Sequence, residues 1–136
     1  MNKRINDKII QIKIYIKEFK TIIPDSFADY INNIEKKAAC ERYIEKIVEA
    51  STDLAFLIIK LKKFRIPEDD ADAFNIIFEN NIISKDLCSK LKKAKGMRNI
   101  LAHQYGKIDD ELIFESMKKE LLKDINEFVD VVKSLN

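Results

Sequence analysis

The chain runs from Asp25 to Ile66 without a glycine or a proline, and its apolar residues there recur at helical spacing. Both residue types interrupt regular structure, so a stretch this long without them favours one long helix. Its apolar stripe consists of Phe27, Tyr30, Ile34, Ala38, Ile44, Ile47, Val48, Leu54, Ala55, Ile58 and Leu61. A continuous helix of about 36 residues would be about 54 Å long, longer than a globule of this size is wide. We therefore expect part of the stripe to contact a second subunit.

Other segments with helical periodicity predict four shorter helices around this one. They are a first helix over about Lys3 to Lys20 that stops before Pro24, a third between Pro67 and Asn80-Asn81, a fourth from Ser84 to about Tyr105 with Gly106 after it, and a fifth that Asp109 caps. The fifth is expected to bury Leu112, Met117, Leu121, Ile125, Phe128 and Val132. With only 2 Gly and 2 Pro in 136 residues, the chain lacks the breakers that the turns of a β-protein need. We expect an all-α fold, an antiparallel bundle of four to five helices that forms a single domain over residues 1–136.

The cysteines and the apolar segments exclude several classes of protein. Cys40 and Cys88 have no paired spacing with each other or with His103, so they indicate neither a disulfide framework nor a zinc site. No apolar run approaches the roughly 18 residues of a membrane span. The N-terminus leads into an amphipathic pattern instead of a signal peptide. We therefore expect buried thiols, no metal site and a cytoplasmic protein that does not contact a membrane.

The net charge of +2 conceals an uneven distribution along the chain. Six basic residues and one acid lie between Lys85 and Arg98, whereas eight acids and four bases lie between Asp109 and Asn136. Two interpretations of the basic segment stay open. Its lysines form a solvated helix surface, or they form a rim that attracts phosphate groups.

The strongest functional signal is the segment from Arg98 to Tyr105 at the end of the fourth helix. At about 100° per residue, Arg98 and Tyr105 share one sector of that helix, and Asn99 and His103 share a neighbouring one. A guanidinium can hold a phosphate and the negative charge that develops on it, and an imidazole can move protons. Neither role needs a metal or an organic cofactor. In the structural alternative, Arg98 pairs with an acid on the second helix, His103 satisfies the helix C-terminus, and Tyr105 packs over the loop.

The pattern R-N-x-x-x-H-x-Y, formed by these four residues, resembles the signature of the HEPN superfamily in the form carried by HepT-like toxins. Further residues extend the resemblance over about Ala38 to Val132. They are Glu41-Arg42, Ile47-Val48-Glu49-Ala50 and Asp53 on the second helix, Pro67 and Phe74 around the third, Ile82-Ile83 and Met97 around the fourth, and Ile108-Asp109 after the motif. An ordered set across three helices is more specific than an Arg–His pair alone.

The resemblance implies a HEPN-like bundle that forms a homodimer, in which the Arg/His motifs of two subunits meet in one composite cleft. It also implies a metal-independent ribonuclease that cleaves tRNA or mRNA. Arg98 would hold the scissile phosphate, His103 would act as general base or general acid, and Asn99 would orient the motif. Asp53 would anchor Arg98 from the second helix.

The resemblance assigns a separate role to Tyr105. In HepT-like toxins a partner nucleotidyltransferase, the MNT antitoxin, transfers AMP from ATP to the tyrosine two residues after the motif histidine. The added phosphates and adenine would crowd and neutralise the cleft around Arg98. Tyr105 would then be the switch that silences a type VII toxin. An aromatic side chain that closes the helix end is the alternative interpretation.

Two other functions stay open beside the ribonuclease. One is a non-catalytic subunit that presents a nucleotide or substrate to the nucleotidyltransferase, and the other is a structural dimerisation bundle. The presence of Arg98, Asn99, His103 and Tyr105 together favours the ribonuclease, because a pure binding bundle has no use for the imidazole. The net charge of +2 counts against the ribonuclease, because strong non-specific RNA binding usually needs a more basic surface. Aromatic residues that could stack on bases are not evidently clustered near the motif.

Overall fold

The computed structural model describes residues 2–103 and 108–135, and all regular structure within these two ranges is helical. In chain order the elements are α1 (Lys3–Lys20), α2 (Phe27–Asn32), α3 (Ile34–Lys62), α4 (Asp70–Glu79), α5 (Lys85–His103), α6 (Asp110–Ser116), a π-helical turn (Met117–Leu121) and α7 (Leu122–Lys133). The expected all-α fold class is confirmed. The first helix has the bounds predicted from its periodicity.

Helix α3 lies at the centre of the bundle, where it packs against α1, α2, α4 and α5. Residues three and four apart share one face of a helix, so its apolar stripe turns inward. The buried members of the stripe include Ile44, Ile47, Val48, Leu54, Ala55 and Ile58, and Cys40 is buried beside them. Helix α1 adds Ile5, Ile9, Ile12, Ile16 and Phe19 to the same core. Burial stabilises each large aliphatic side chain by about 1.5–3 kcal/mol relative to exposure, so this shared core fixes α1 against α3.

The prediction of one long second helix is wrong, because the helix is interrupted at Asn33. This residue has extended backbone angles, φ −119° and ψ 100°. Its side chain accepts a hydrogen bond from the backbone N–H of Lys36 at 3.0 Å. A short amide side chain competes with the helix for backbone hydrogen bonds, so it ends one helix and caps the next. In place of a continuous helix, the chain forms a 6-residue α2 and a 29-residue α3.

Helix length therefore gives no support for a second subunit. The stripe that was expected to contact a partner is largely covered by α1, α4 and α5 of the same chain. Ile34 in the first turn of α3 and Leu61 in its last turn stay 83% and 48% exposed. The homodimer thus remains a hypothesis based on the family resemblance.

Side-chain caps begin α5 and α6 where the sequence predicts them. Before α5, the hydroxyl of Ser84 accepts a hydrogen bond from the backbone N–H of Leu87 at 3.1 Å. Before α6, the carboxylate of Asp109 accepts one from the backbone N–H of Leu112 at 3.1 Å. Asn81 has a φ of 61°, in the left-handed region that asparagine tolerates after a helix end. The starting points of α5 and α6 decide which residues occupy the final turns of α5.

The C-terminal helix differs from the prediction in two respects. Leu112 was expected to be buried but is 55% exposed, and its neighbours Ile113 and Phe114 are buried instead. The π-helical turn was not predicted; such a turn holds an extra residue and shifts the phase of an apolar stripe. The other residues expected to be buried are buried, namely Met117, Leu121, Ile125, Phe128 and Val132.

Both cysteines are buried free thiols, as the sequence predicts. Burial raises the pKa of Cys40 to about 11 and also raises the pKa of Cys88. A thiol whose pKa is raised is a poor nucleophile and a poor metal ligand, so these residues belong to the core. In the described parts of the chain, no helix is long and apolar enough to cross a membrane.

Candidate functional site

The last two turns of α5 carry Arg98, Asn99 and His103. The rotation of α5 about its axis is set by its buried face, which includes Leu87, Leu91, Ala94 and Leu101. That face packs against α3, α4 and α7. With the apolar face fixed in this way, the guanidinium of Arg98 meets the exposed edge of α3.

The guanidinium of Arg98 is held loosely. Its Nη2 lies 3.6 Å from Oε2 of Glu49 on α3, and its Nη1 donates to Oδ1 of Asn99 at 3.4 Å. Both distances exceed the usual 2.9–3.0 Å of an N–H···O hydrogen bond. Nε is buried and has no hydrogen-bond acceptor among the described residues. With 20% of its side chain exposed, Arg98 therefore keeps hydrogen-bonding capacity for an anion.

The expected contact between Asp53 and Arg98 is not formed among the described side chains; Glu49 takes that place. Asp53 lies one turn further along α3, where its Oδ2 is 3.4 Å from Nζ of Lys8 on α1. Residues four apart share a helix face, so Glu49 and Asp53 were equivalent candidates by spacing. The position of α5 along α3 decides between them, and a sequence does not give that position.

Asn99 is half-buried and contacts Arg98 directly through the hydrogen bond to its Oδ1. An acceptor on the adjacent residue restricts the directions that the guanidinium can take. This geometry is compatible with the orienting role expected of Asn99, and the hydrogen bond engages Nη1 of Arg98, not Nε.

His103 occupies the last residue of α5, and its side chain is exposed. It follows Arg98 by five residues, which on a regular helix places the two side chains about 140° apart in rotation and about 7.5 Å apart along the axis. Arg98 and His103 of one copy therefore do not project from the same sector of α5. Tyr105, the expected modification site, lies outside the described residues.

The basic segment of α5 is more closely paired than either interpretation of the sequence anticipated. Lys95 is buried, with 7% of its side chain exposed, and its Nζ lies 2.9 Å from Oδ2 of Asp70 at the start of α4. Lys90 contacts Asp86 at 3.0 Å, and Lys93 lies 3.7 Å from Glu120. Lys95 was missed as a structural residue, because a helical register was needed to separate it from its exposed neighbours.

Metal chemistry has no prepared ligand set in the described ranges. No group of three or more His, Cys, Asp or Glu side chains is close enough there to hold an ion. The chemistry that the site offers rests on the guanidinium of Arg98, the amide of Asn99 and the imidazole of His103.

Comparison with known proteins relates this chain to ribonucleases. Residues 12–132 match the family model described as ribonuclease HepT-like. The mRNA nuclease HepT of Shewanella oneidensis is 28% identical over 134 residues, which cover 98% of this chain and 99% of that protein. The tRNA nuclease HepT of Aphanizomenon flos-aquae is 27% identical over 100 residues, covering 74% of this chain and 66% of that protein.

Solved structures give the same relationship. The tri-AMPylated HEPN toxin of Shewanella oneidensis in complex with its MNT antitoxin superposes with a TM-score of 0.92 at 28% identity, covering 98% of this chain and 99% of that one. A structure of a toxin–antitoxin pair with AMP-PNP superposes with a TM-score of 0.89 at 28% identity, with the same coverage. The resemblance inferred from the sequence motif is confirmed. This chain belongs to the HepT-like ribonuclease family.

Proposed function

We propose that this chain is a metal-independent endoribonuclease toxin in which Arg98 holds the scissile phosphate and His103 transfers protons. The observation that carries this proposal is the guanidinium of Arg98, with two long contacts and a buried Nε that has no acceptor among the described residues. A buried unpaired donor costs about 1–3 kcal/mol, so a phosphate oxygen that accepts from it would recover that energy on binding. Its membership of the HepT-like ribonuclease family supports the same activity.

The proposed reaction uses the 2′-hydroxyl of the RNA as nucleophile. One imidazole of His103 removes the 2′ proton as the 2′-oxygen attacks phosphorus, and a protonated imidazole gives a proton to the 5′-oxygen as the P–O5′ bond breaks. The products are a 2′,3′-cyclic phosphate and a 5′-hydroxyl. Arg98 stabilises the negative charge that develops on the non-bridging phosphate oxygens.

A homodimer would supply the two proton-transfer roles. On one copy, Arg98 and His103 lie about 140° apart around α5, so a phosphate at Arg98 is not flanked by the imidazole of the same chain through helix geometry alone. A phosphate bound in a cleft between the motifs of two copies, on a two-fold axis near the end of α5, would instead meet an imidazole from each copy, one acting as base and the other as acid. The need for two proton-transfer groups at one phosphate supports the dimer, whereas the length of α3 does not.

The partner we propose is an MNT nucleotidyltransferase that adds AMP to Tyr105. The Shewanella relative has been solved as a tri-AMPylated toxin in complex with an MNT antitoxin. In this sequence Tyr105 follows His103 by two residues. Each added AMP would bring a negative phosphate to the end of α5, where it would compete with RNA for the guanidinium of Arg98.

Cleavage by the purified protein and its His103→Ala variant tests the ribonuclease. Total tRNA and a transcribed mRNA are incubated with each protein in the presence of EDTA. Loss of one acid–base group should slow cleavage by about 100-fold or more, while helicity stays unchanged because the His103 side chain is exposed. Equal cleavage by both proteins would exclude the assigned role of His103. A folded wild-type protein that cleaves neither RNA would instead favour the non-catalytic subunit of a nucleotidyltransferase complex.

A Tyr105→Phe variant tests the switch. This change removes the hydroxyl that would receive AMP and keeps the aromatic ring, so the variant should cleave RNA yet escape silencing by an MNT enzyme and ATP. Residual RNase activity after incubation with that enzyme is the measurement, with wild type as the matched control. Normal silencing of Tyr105→Phe would refute modification at this residue.

A further inference from the structure

A groove between α1 and the C-terminal half of α3 is not used by the proposed chemistry. Its volume is about 700 Å³. Four basic side chains line it, from Arg4 and Lys8 on α1 and from Lys60 and Lys63 at the end of α3. Among the described lining residues Asp53 is the single acid, and it lies 3.4 Å from Lys8. The groove therefore carries an excess of positive charge.

Three of these cations have no carboxylate within ion-pair distance among the described residues, namely Arg4, Lys60 and Lys63. Lys60 belongs to the last turn of α3, and Lys63 is the capping residue that follows it. The negative end of the helix dipole offsets part of their charge but supplies no discrete partner. The groove is thus available to a ligand that carries several negative charges.

Aromatic side chains line the same groove as the cations. Phe56 and Phe64 both line the groove, and each is half-buried. Each ring has its inner part against the core and part of its surface exposed. A groove that combines cationic and aromatic groups suits a single-stranded nucleic acid, whose phosphates bind cations and whose bases stack on aromatic rings.

The groove and the candidate site lie along the same face of α3. Glu49 contacts Arg98, Asp53 contacts Lys8 one turn later, and Phe56 and Lys60 follow on the same helical face. At 1.5 Å per residue, Glu49 and Lys60 are separated by about 17 Å along the axis. An extended strand that has a phosphate at Arg98 would reach the groove within a few nucleotides.

A second groove, between α5 and α6, is less suited to RNA. Its volume is about 720 Å³, but among the described lining residues four lysines are accompanied by Asp109, Glu120 and Asp124, and none of those residues is aromatic. Two of its lysines already contact those acids, because Lys93 lies 3.7 Å from Glu120 and Lys90 lies 3.9 Å from Asp124. Charge complementarity therefore distinguishes the groove on α1 and α3.

We propose that the groove between α1 and α3 binds single-stranded RNA beside the scissile phosphate, with phosphates on Arg4, Lys60 and Lys63 and a base on Phe56. This inference rests on the proposed ribonuclease, and it assigns to that enzyme a surface that binds its substrate outside the Arg98 and His103 chemistry. The groove also provides aromatic side chains for base stacking, which the sequence did not reveal near the motif.

The test is RNA binding by a charge-reversed variant in a cleavage-inactive background. Binding of a 5′-fluorescein-labelled single-stranded RNA is followed by anisotropy at several salt concentrations, with the His103→Ala protein as reference. Adding Lys60→Glu and Lys63→Glu should weaken binding by about 10-fold or more. The slope of log affinity against log salt should fall by about 1.4, because each lost phosphate contact on a single strand removes about 0.7.

Two further variants separate this surface from general charge effects. Lys17→Glu with Lys20→Glu makes the same charge change in the last turn of α1, outside the groove, and should change binding by less than about 2-fold. Phe56→Leu keeps an apolar side chain and removes the ring, so binding should weaken by about 5-fold or more without a change in salt slope. Circular dichroism confirms that each variant is folded.

Each outcome decides one question. The groove is refuted if the Lys60 and Lys63 reversals leave RNA affinity unchanged, if the Lys17 and Lys20 reversals weaken it equally, or if the reference protein binds no RNA. If the Lys60 and Lys63 reversals abolish binding of an MNT antitoxin but leave RNA affinity unchanged, the surface belongs to a protein partner. That result would also refute the proposal. If RNA binding depends on the groove but wild-type protein cleaves no RNA, the proposed ribonuclease fails and the groove stands.

Discussion

At the scale of single residues, Arg98 contacts Glu49 through an ion pair that an anionic substrate can replace at low cost. The two groups are 3.6 Å apart, and the side chain of Glu49 is 55% exposed. Ion pairs with an exposed partner and long geometry contribute about 0–1 kcal/mol. A bidentate phosphate contact is stronger, because both of its oxygens accept short charge-assisted hydrogen bonds. Glu49 therefore keeps the guanidinium in place in the free protein without closing the site.

Replacement of Arg98 by lysine tests this account of the residue. Arg98→Lys keeps the positive charge but cannot offer two parallel donors to a phosphate, so cleavage should fall by about 100-fold, the scale of losing one donor at a developing oxyanion. Initial rates on a single RNA substrate are the measurement, and the melting temperature should change little. Full activity of Arg98→Lys would show that a bidentate contact is not required.

The sequence predicts a site at Arg98, Asn99 and His103 because their spacing matches a family motif, and the cap at Ser84 places them on one helix. It did not identify Glu49 as the partner of Arg98, since Glu49 and Asp53 share one face of α3 and only the packing of α5 selects between them. Lys95 was missed for a similar reason, because its burial depends on where α4 begins.

At the scale of elements, apolar periodicity predicted α1, α4 and α5 well because each has a clear stripe and a capping residue at its start. It failed at Asn33, where one side chain broke a stripe that continues on both sides of the break. It also failed at the π-helical turn, since an extra residue in a helix leaves no Pro or Gly signal. Local hydrogen bonding overrode the apolar pattern in the first case.

The segment between α3 and α4 is held by Asp72, and its stability should depend on pH. Arg65 donates to Asp72 at 2.7 and 3.0 Å, and the backbone N–H of Glu68 donates at 3.0 Å. The Arg65 guanidinium, followed by that backbone N–H, holds the pKa of Asp72 well below its usual range. A depressed pKa means that the carboxylate stabilises the fold above the unfolded pKa of about 3.9, and that this stabilisation is lost as pH falls through the folded value.

We expect Asp72→Asn to lower the melting temperature at pH 7. The difference in melting temperature between this variant and wild type should become smaller as pH falls below about 4. Thermal unfolding of both proteins between pH 7 and pH 3 is the measurement. The exposed ion pair of Lys3 and Asp7 provides a control, because Asp7→Asn should have little effect at any pH. A difference between wild type and Asp72→Asn that does not change with pH would contradict this account.

At the scale of the whole molecule, the sequence predicted the all-α bundle and the family, and both are confirmed. It did not predict the distribution of charge in space. The basic segment of α5 is partly neutralised by acids of α4 and the π-helical turn, whereas distant parts of the chain bring four cations and two phenylalanines together between α1 and α3. A net charge of +2 therefore does not describe the surface that an RNA would meet.

We propose that an imidazole and a guanidinium cleave RNA by using the 2′-hydroxyl of the RNA itself as nucleophile. The chemical nature of the fragment ends tests this mechanism most directly. The purified protein is incubated in EDTA with an RNA and with the same RNA carrying a single 2′-deoxy substitution at the mapped cleavage site. We predict 2′,3′-cyclic phosphate and 5′-hydroxyl ends from the first RNA and no cleavage at that site in the second. Fragments with 3′-hydroxyl and 5′-phosphate ends, or cleavage at the deoxy site, would contradict the mechanism.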